Sequence, residues 1–193
     1  IIDTKDVIGG LYDSNEGNLD PYGSTHALAK SACKAGAEVY LNTKVEDLVH
    51  KSDGTWTVVT DKGKIHCEHV VNAAGLWARE VGKLAGVYFP VQPMEHHYLI
   101  TESIPEIEAL GKDKRLPVGT DFDGNIYFRQ EGNGMLLGTY EAKSTPWQVR
   151  GTPMNFGHEL LDSKLENIQD RLAIGFKRFP ALEKAGIKNI ING

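Results

Sequence analysis

Cysteine is scarce: Cys33 and Cys67 are the two in 193 residues. They can close one bridge at most, and neither belongs to a C-x-x-C pair. This argues against a disulfide-built secreted scaffold and a thioredoxin-type redox motif, and it fits a reducing compartment. Positive charge is not in excess, with 21 Lys and Arg against 26 Asp and Glu and a formal net charge of -5. Nothing here could neutralise a row of phosphates, so no nucleic-acid partner is expected. No apolar run approaches the roughly 20 residues of a membrane helix, so no membrane span is expected. A G-x-G-x-x-G fingerprint after a strand is missing, which excludes an independent dinucleotide-binding domain within these residues. So is a G-x-S-x-G elbow, and with no placeable Cys–His pair nucleophilic hydrolysis lacks support. The chain starts at Ile1 without the marks of a signal peptide and ends on a strand-like stretch, residues 188–193, so a fragment of a longer chain is expected.

What is present is the composition of a globular chain, 40% hydrophobic and 24% charged, whose 21 glycines and 8 prolines imply many turns rather than a helical bundle. Residues 1–20 read as extended structure and loops. Asp20 then caps a helix that starts at Pro21, carries Leu28, Ala32 and Ala35 on one face and stops at Gly36. Residues 38–42 read as a strand. Three short β-rich stretches, 45–49, 55–60 and 63–67, are separated by Asp53-Gly54 and Lys62-Gly63 turns and form an antiparallel meander. Residues 69–75 read as a buried strand ending in tiny residues, followed by a helix from Leu76 to about Ala85. Further on, a strand is expected at 95–101 and a hairpin at 125–130 and 135–140 around Gly132-Asn133-Gly134. A helix over 158–173 carries Leu161, Leu165, Ile168 and Leu172, and a short helix after Pro180 leads to the terminal strand. The fold class is mixed α/β.

Two constellations carry chemistry. At Ala73-Ala74-Gly75-Leu76-Trp77 a strand meets a helix through side chains small enough for a ligand to approach the backbone, or for strand and helix to pack tightly. In Glu95-His96-His97-Tyr98, strand alternation sends His96 and Tyr98 to one face and His97 to the other, so the adjacent histidines cannot chelate one metal. His96 and Tyr98 could orient a polar substrate or be a satisfied half-buried pair. Cys67 with His69 lacks a third ligand, and Asp121 to Asn125 departs from an EF-hand loop and reads as a turn, so no metal site is expected. Arg129 reads as a surface arginine that could pair with a carboxylate.

Five motifs together resemble the dimethylglycine and sarcosine dehydrogenase branch of the amine-oxidising flavoproteins, the group that includes glycine and D-amino-acid oxidases. They are Gly17-Asn18-Leu19-Asp20-Pro21-Tyr22, Gly36-Ala37-Glu38-Val39, the stretch from Val70 through Asn72-Ala73-Ala74-Gly75-Leu76-Trp77 to Arg79, Pro93-Met94-Glu95-His96-His97-Tyr98, and Tyr127-Phe128-Arg129-Gln130-Glu131. The resemblance implies a two-domain flavoprotein fold, an FAD domain interleaved with a substrate domain on an antiparallel sheet. Residues 1–20 would end a preceding substrate-domain or linker segment, 21–86 would form the later part of the FAD domain, 87–175 the substrate domain, and 176–193 a return towards the FAD domain. FAD is the implied cofactor. Val45 would meet its adenine end through the backbone, and Ala74, Gly75 and Trp77 would line it. His96 and Tyr98 fall on the family's His-x-Tyr motif facing flavin and substrate, while His97, where the family more often has Gln, is expected to point away and matter little. The family's phosphate-binding glycines and flavin-linking histidine would precede Ile1.

The implied reaction removes hydride from the carbon beside the nitrogen of an N-methylated amino acid such as dimethylglycine or sarcosine, with formaldehyde passing to water or folate and no general base assigned. The implied partners are that small amine and, through regions outside these residues, folate or an electron acceptor. The implied location is cytoplasmic in a bacterium and the mitochondrial matrix in a eukaryote. The competing expectation is a regulatory relative similar to the pyruvate dehydrogenase phosphatase regulatory subunit.

Overall fold

The computed structural model describes residues 1–111, 113–157 and 159–193, which fall into two compact units. One, the helix–meander unit, comprises Leu19–Pro93 and Gln148–Phe156; the other, the sheet unit, comprises Ile1–Asn18, Met94–Trp147 and Gly157–Gly193.

The helix–meander unit opens with α1, Pro21–Lys34. Its ends are written locally. Asp20 accepts from the Tyr22 and Gly23 N–H groups at 3.2 and 2.8 Å, Pro21 occupies the first turn, and Gly36 at φ +98° closes a Schellman turn in which Ala37 N–H donates to Ala32 O at 3.0 Å. No residue of α1 is buried, and Leu28 is 72% exposed. Strands β1 (Val45–His50), β2 (Trp56–Thr60) and β3 (Gly63–Cys67) form the expected meander in the order β1-β2-β3. A 3-10 turn, Gly75–Trp77, leads into α2, Ala78–Leu84.

Two expected strands do not form. Residues 38–42 make no ladder and end in a turn with Asn42 at φ +51°, and residues 69–74 are unpaired, with Val71 86% exposed. The physical reason is the same for both: a strand is completed by a neighbour's N–H and C=O groups, and none among the described residues lies alongside.

The sheet unit contains β4 (His97–Thr101), the single-turn α3 (Pro105–Glu108), β5 (Gly119–Asp121), β6 (Ile126–Glu131), β7 (Gly134–Thr139), α4 (Leu165–Arg178), a 3-10 turn at Pro180–Lys184 and β8 (Ile187–Asn192). The sheet is antiparallel throughout, in the order β5-β6-β7-β4-β8. Asp121 to Asn125 is the expected turn, with the Asp121 carboxylate accepting from Gly124 N–H at 2.8 Å. Helix α4 lies on one face of the sheet, where Leu99, Ile126, Met135, Leu137, Ile168 and Leu172 form the core. It can lie close because Gly175 has no side chain: a Cβ there would come within 2.3 Å of Leu137. The mixed helix and antiparallel-sheet class is as the sequence indicates.

Helix α4 starts at 165 and ends at 178 rather than spanning 158–173, and His158 lies outside the described residues. The residues before it are otherwise engaged. Leu161 N–H donates to Asn192 O at 2.9 Å, and the Asn192 amide donates to Asp162 O at 2.8 Å, so this segment ties down the end of β8 instead of winding into helix.

Candidate functional site

Strand β4 alternates strictly. His97, Leu99 and Thr101 are buried on the α4 side, while Tyr98 and Ile100 are half-buried on the outer face. Pairing aligns Tyr98 with Gly138 of β7, and Gly138 with Tyr127 of β6. The bare Gly138 backbone forms a floor under the Tyr127 ring, since a Cβ there would lie 1.9 Å from it. Tyr140 follows β7, its ring 5.4 Å from that of Tyr127, and His96 stands 6.0 Å from Tyr127 and 5.8 Å from Tyr140 by ring centroids. The outer face thus gathers His96, Tyr98, Tyr127 and Tyr140. Arg129 lies on it too and pairs with Glu131.

One carboxylate organises the edge of this cluster. Glu141 has a side chain only 2% exposed, and its Oε1 accepts from His97 N–H at 2.8 Å and faces His97 Nδ1 at 3.0 Å, while Oε2 faces His96 Nδ1 at 3.0 Å. Burial works against its ionised form, but hydrogen bonds from its own N–H, from His97 and from His96 outweigh this and hold the carboxyl below the usual glutamate range. Burial raises the Tyr127 phenol, helped by the neighbouring Tyr140, Tyr98 and Glu141. His97 does face away from Tyr98, yet it is not idle. It is 1% exposed, and besides Glu141 its Nε2 receives the Lys164 N–H at 3.3 Å, so it joins β4 to the start of α4. Alternation keeps the two histidines from sharing a metal, but not from sharing a carboxylate placed at the strand end.

Behind the sheet, Glu95 takes Lys164 Nζ on both oxygens at 2.7 Å and the Asn192 amide at 3.0 Å. Burial again opposes its charge, and Lys164 and Asn192 overcome it to leave the carboxyl below its ordinary range.

In the helix–meander unit, Asn72 shapes the small-residue turn. Its Oδ1 accepts from Ala74 N–H at 3.2 Å and its amide donates to Ala78 O at 2.8 Å, while Trp77 N–H closes on Ala74 O at 2.9 Å. Gly75 sits at φ +51°, and a Cβ built there meets nothing within 4 Å among the described residues. Among the described residues Ala73 and Gly75 are exposed and Ala74 is half-buried. Trp77 donates its indole N–H to Pro153 O at 2.9 Å, and Arg79 reaches Gln148 O at 2.9 Å, so the 148–156 segment is clipped to the turn. Val45 lies apart from the turn, in a groove of about 390 Å³ shared with Glu80, Val81, Leu84 and Met154.

The proposed substrate pair, His96 and Tyr98, comes together on one face, and Ala74, Gly75 and Trp77 come together in one turn. Sequence reasoning missed Gly138, Tyr140 and Glu141 as site residues and named Tyr127 only as the first residue of a family motif, without a place in the site. The hairpin turn carried the signal for Tyr127, because counting from it sets Tyr127 opposite Gly138. Nothing local marks Glu141, which lies 44 residues beyond His97.

The family model described as FAD dependent oxidoreductase (DAO) matches residues 2–191. The chain belongs to this FAD dependent oxidoreductase family. Over its whole length it is 41% identical to the mitochondrial dimethylglycine dehydrogenase of Mus musculus and 33% identical to the mitochondrial sarcosine dehydrogenase of Homo sapiens, of which it covers 23% and 21%. It thus spans under a quarter of the length of these curated oxidoreductases. Among solved structures of the family's fold, the L-proline dehydrogenase from P. horikoshii superposes with a TM-score of 0.68 at 24% identity, covering 90% of this chain and 43% of that one. No helix among the described residues is long and apolar enough to cross a membrane.

Proposed function

We propose that the intact protein oxidises the C–N bond of a small N-methylated amino acid such as dimethylglycine or sarcosine, using FAD. The observation that carries this reading is the outer face of the sheet, where His96, Tyr98, Tyr127 and Tyr140 converge on the Gly138 floor. Three hydroxyls and an imidazole at the rim of aromatic rings suit a ligand with a charged carboxylate at one end and an apolar N-methyl group at the other.

The small-residue turn fits the cofactor. The backbone at Ala73-Ala74-Gly75 is bare, and the space over Gly75 is open, so the turn accepts a ligand lying against it. Ala74, Gly75 and Trp77 would hold the flavin cofactor there, and Val45 would serve its adenine end, as the family resemblance implies. FAD, when bound, supplies the two-electron oxidant. The chain's own residues do the rest: Tyr98 and His96 orient the substrate, and the rings of Tyr127 and Tyr140 keep water from it. A neutral amine needs no further base for loss of hydride. Folate or an electron acceptor would engage parts of the protein beyond these residues, and the location would be the mitochondrial matrix in a eukaryote or the cytoplasm in a bacterium.

Anaerobic addition of dimethylglycine and sarcosine to the flavin-loaded intact protein should bleach the flavin, and glycine should not. Equal bleaching by glycine, or none by the methylated substrates, would refute the assignment. Replacing Gly75 tests the cofactor role separately. A branched side chain at φ +51° costs about 1–2 kcal/mol in backbone strain and fills the open space over the turn. Gly75→Val should therefore lower the flavin content of the purified protein, read from its absorbance ratio, and unchanged flavin content would remove the turn from the cofactor site.

A further inference from the structure

We propose that Glu141 is a positioning residue of this site: its carboxylate, anchored from behind by His97, fixes His96 with its proton on Nδ1 and so presents a bare Nε2 to the outer face. The proposal rests on reading that face as the substrate face.

An ionised carboxylate only accepts, so each imidazole nitrogen facing it must carry a proton. Glu141 Oε1 faces His97 Nδ1 and Oε2 faces His96 Nδ1, both at 3.0 Å. His97 is thereby complete: Nδ1–H donates to Glu141, and Nε2 accepts the Lys164 N–H at 3.3 Å, so it is a neutral imidazole with every polar atom engaged. Its backbone N–H adds a second bond to the same Oε1 at 2.8 Å. The carboxylate cannot follow His96 if that ring turns, because His97 is sealed in the core at 1% exposure.

His96 differs in being open. Its side chain is 39% exposed, and its Nε2 faces the Tyr127 hydroxyl at 3.4 Å. With Nδ1–H committed to Glu141, the neutral ring offers only a lone pair to a ligand. It will therefore accept from the N–H of the ammonium form in which the substrate arrives, a donor that the neutral tertiary amine lacks, and reject the carboxylate, which is left to Tyr98. The Glu141 to His97 arrangement also gives the second histidine a purpose that strand alternation alone does not suggest.

The tautomer can be read without substrate, so the test does not depend on which amine is oxidised. Magic-angle-spinning 15N spectra of the intact flavin-loaded protein, labelled at histidine and held at pH 8, should show His96 with a protonated Nδ1 and a bare Nε2, the His96→Gln variant identifying its signals. Glu141→Gln places an amide N–H2 opposite Nδ1, and His96 should then switch to the Nε2–H form. The same variant should reduce its flavin about tenfold more slowly at saturating dimethylglycine, with KM changed less than kcat. A wild-type His96 protonated on Nε2 would overturn the proposal even if the variant failed to fold, and so would a Glu141→Gln protein that keeps the Nδ1–H form. A correct tautomer in a protein that ignores dimethylglycine and sarcosine would refute the substrate assignment and leave the role of Glu141 in place.

Discussion

Helices α1 and α4 are both 14 residues long, yet α4 buries Ile168, Leu172 and Gly175 against the sheet while α1 buries nothing. Their ends differ in the opposite sense. Helix α1 has an aspartate cap, a proline in its first turn and a Schellman close, whereas α4 has no side-chain cap at Lys164. The first is signalled by its local chemistry, and the second by the sheet that receives its apolar stripe. The contrast extends to the units that hold them. The sheet unit has a core running from Leu99 to Leu182, while in the helix–meander unit Leu48, Thr57, Gly82 and Thr152 are the buried ones among the described residues.

Damage to packing should therefore fall hardest on the sheet unit. Leu137 is fully buried where α4 meets β7, and Leu137→Ala should cost about 2–5 kcal/mol, measured as a lowered denaturant midpoint of the intact protein. A loss below 1 kcal/mol would mean that the α4 face is not a packed core.

Next in size is the Glu95 lock on Lys164 and Asn192, which secures the start of α4 without any cap. Glu95→Gln should cost about 1.5–3 kcal/mol at neutral pH. Because the folded-state carboxyl lies below its ordinary range, its contribution is present above the unfolded-state value of about 4.3 and is lost as pH falls through the lower folded value. The melting difference between wild type and variant should thus be full at pH 7 and shrink below pH 4. A difference that persists at pH 3 would assign the effect to shape rather than charge.

Helix α1 should respond least, and to its cap. Asp20→Ala should cost about 1 kcal/mol, read as faster hydrogen exchange confined to the first turns of α1. Unchanged exchange in the first turns of α1 would show that Asp20 does not hold the start of the helix.

The same contrast explains what could be read from the sequence. Helix α1 was legible from Asp20, Pro21 and Gly36, and the meander and the β6–β7 hairpin from their glycine turns, because each signal lies within a few residues of the structure it makes. The start of α4 was not, since Leu161 and Asp162 are claimed by Asn192, some 30 residues on. The expected strands at 38–42 and 69–75 had strand-like composition but no neighbour among the described residues to bond with. In the site, alternation placed His96 and Tyr98 on one side and His97 on the other. It could not place Glu141, whose three bonds to the histidines are made by the return of β7 beside β4. His97, dismissed for pointing away, is the clearest case of a residue whose role depends on what waits on the far side.

The central claim is that the outer face carrying His96 and Tyr98 is the substrate face, and stopped-flow flavin reduction of Tyr98→Phe in the intact protein tests it most directly. Loss of one hydrogen bond to a charged substrate group costs about 1.5–3 kcal/mol, so reduction by dimethylglycine or sarcosine should slow by about ten- to a hundredfold with flavin content unchanged. Wild-type reduction rates in Tyr98→Phe at full flavin loading would contradict the account and take this face out of the active site.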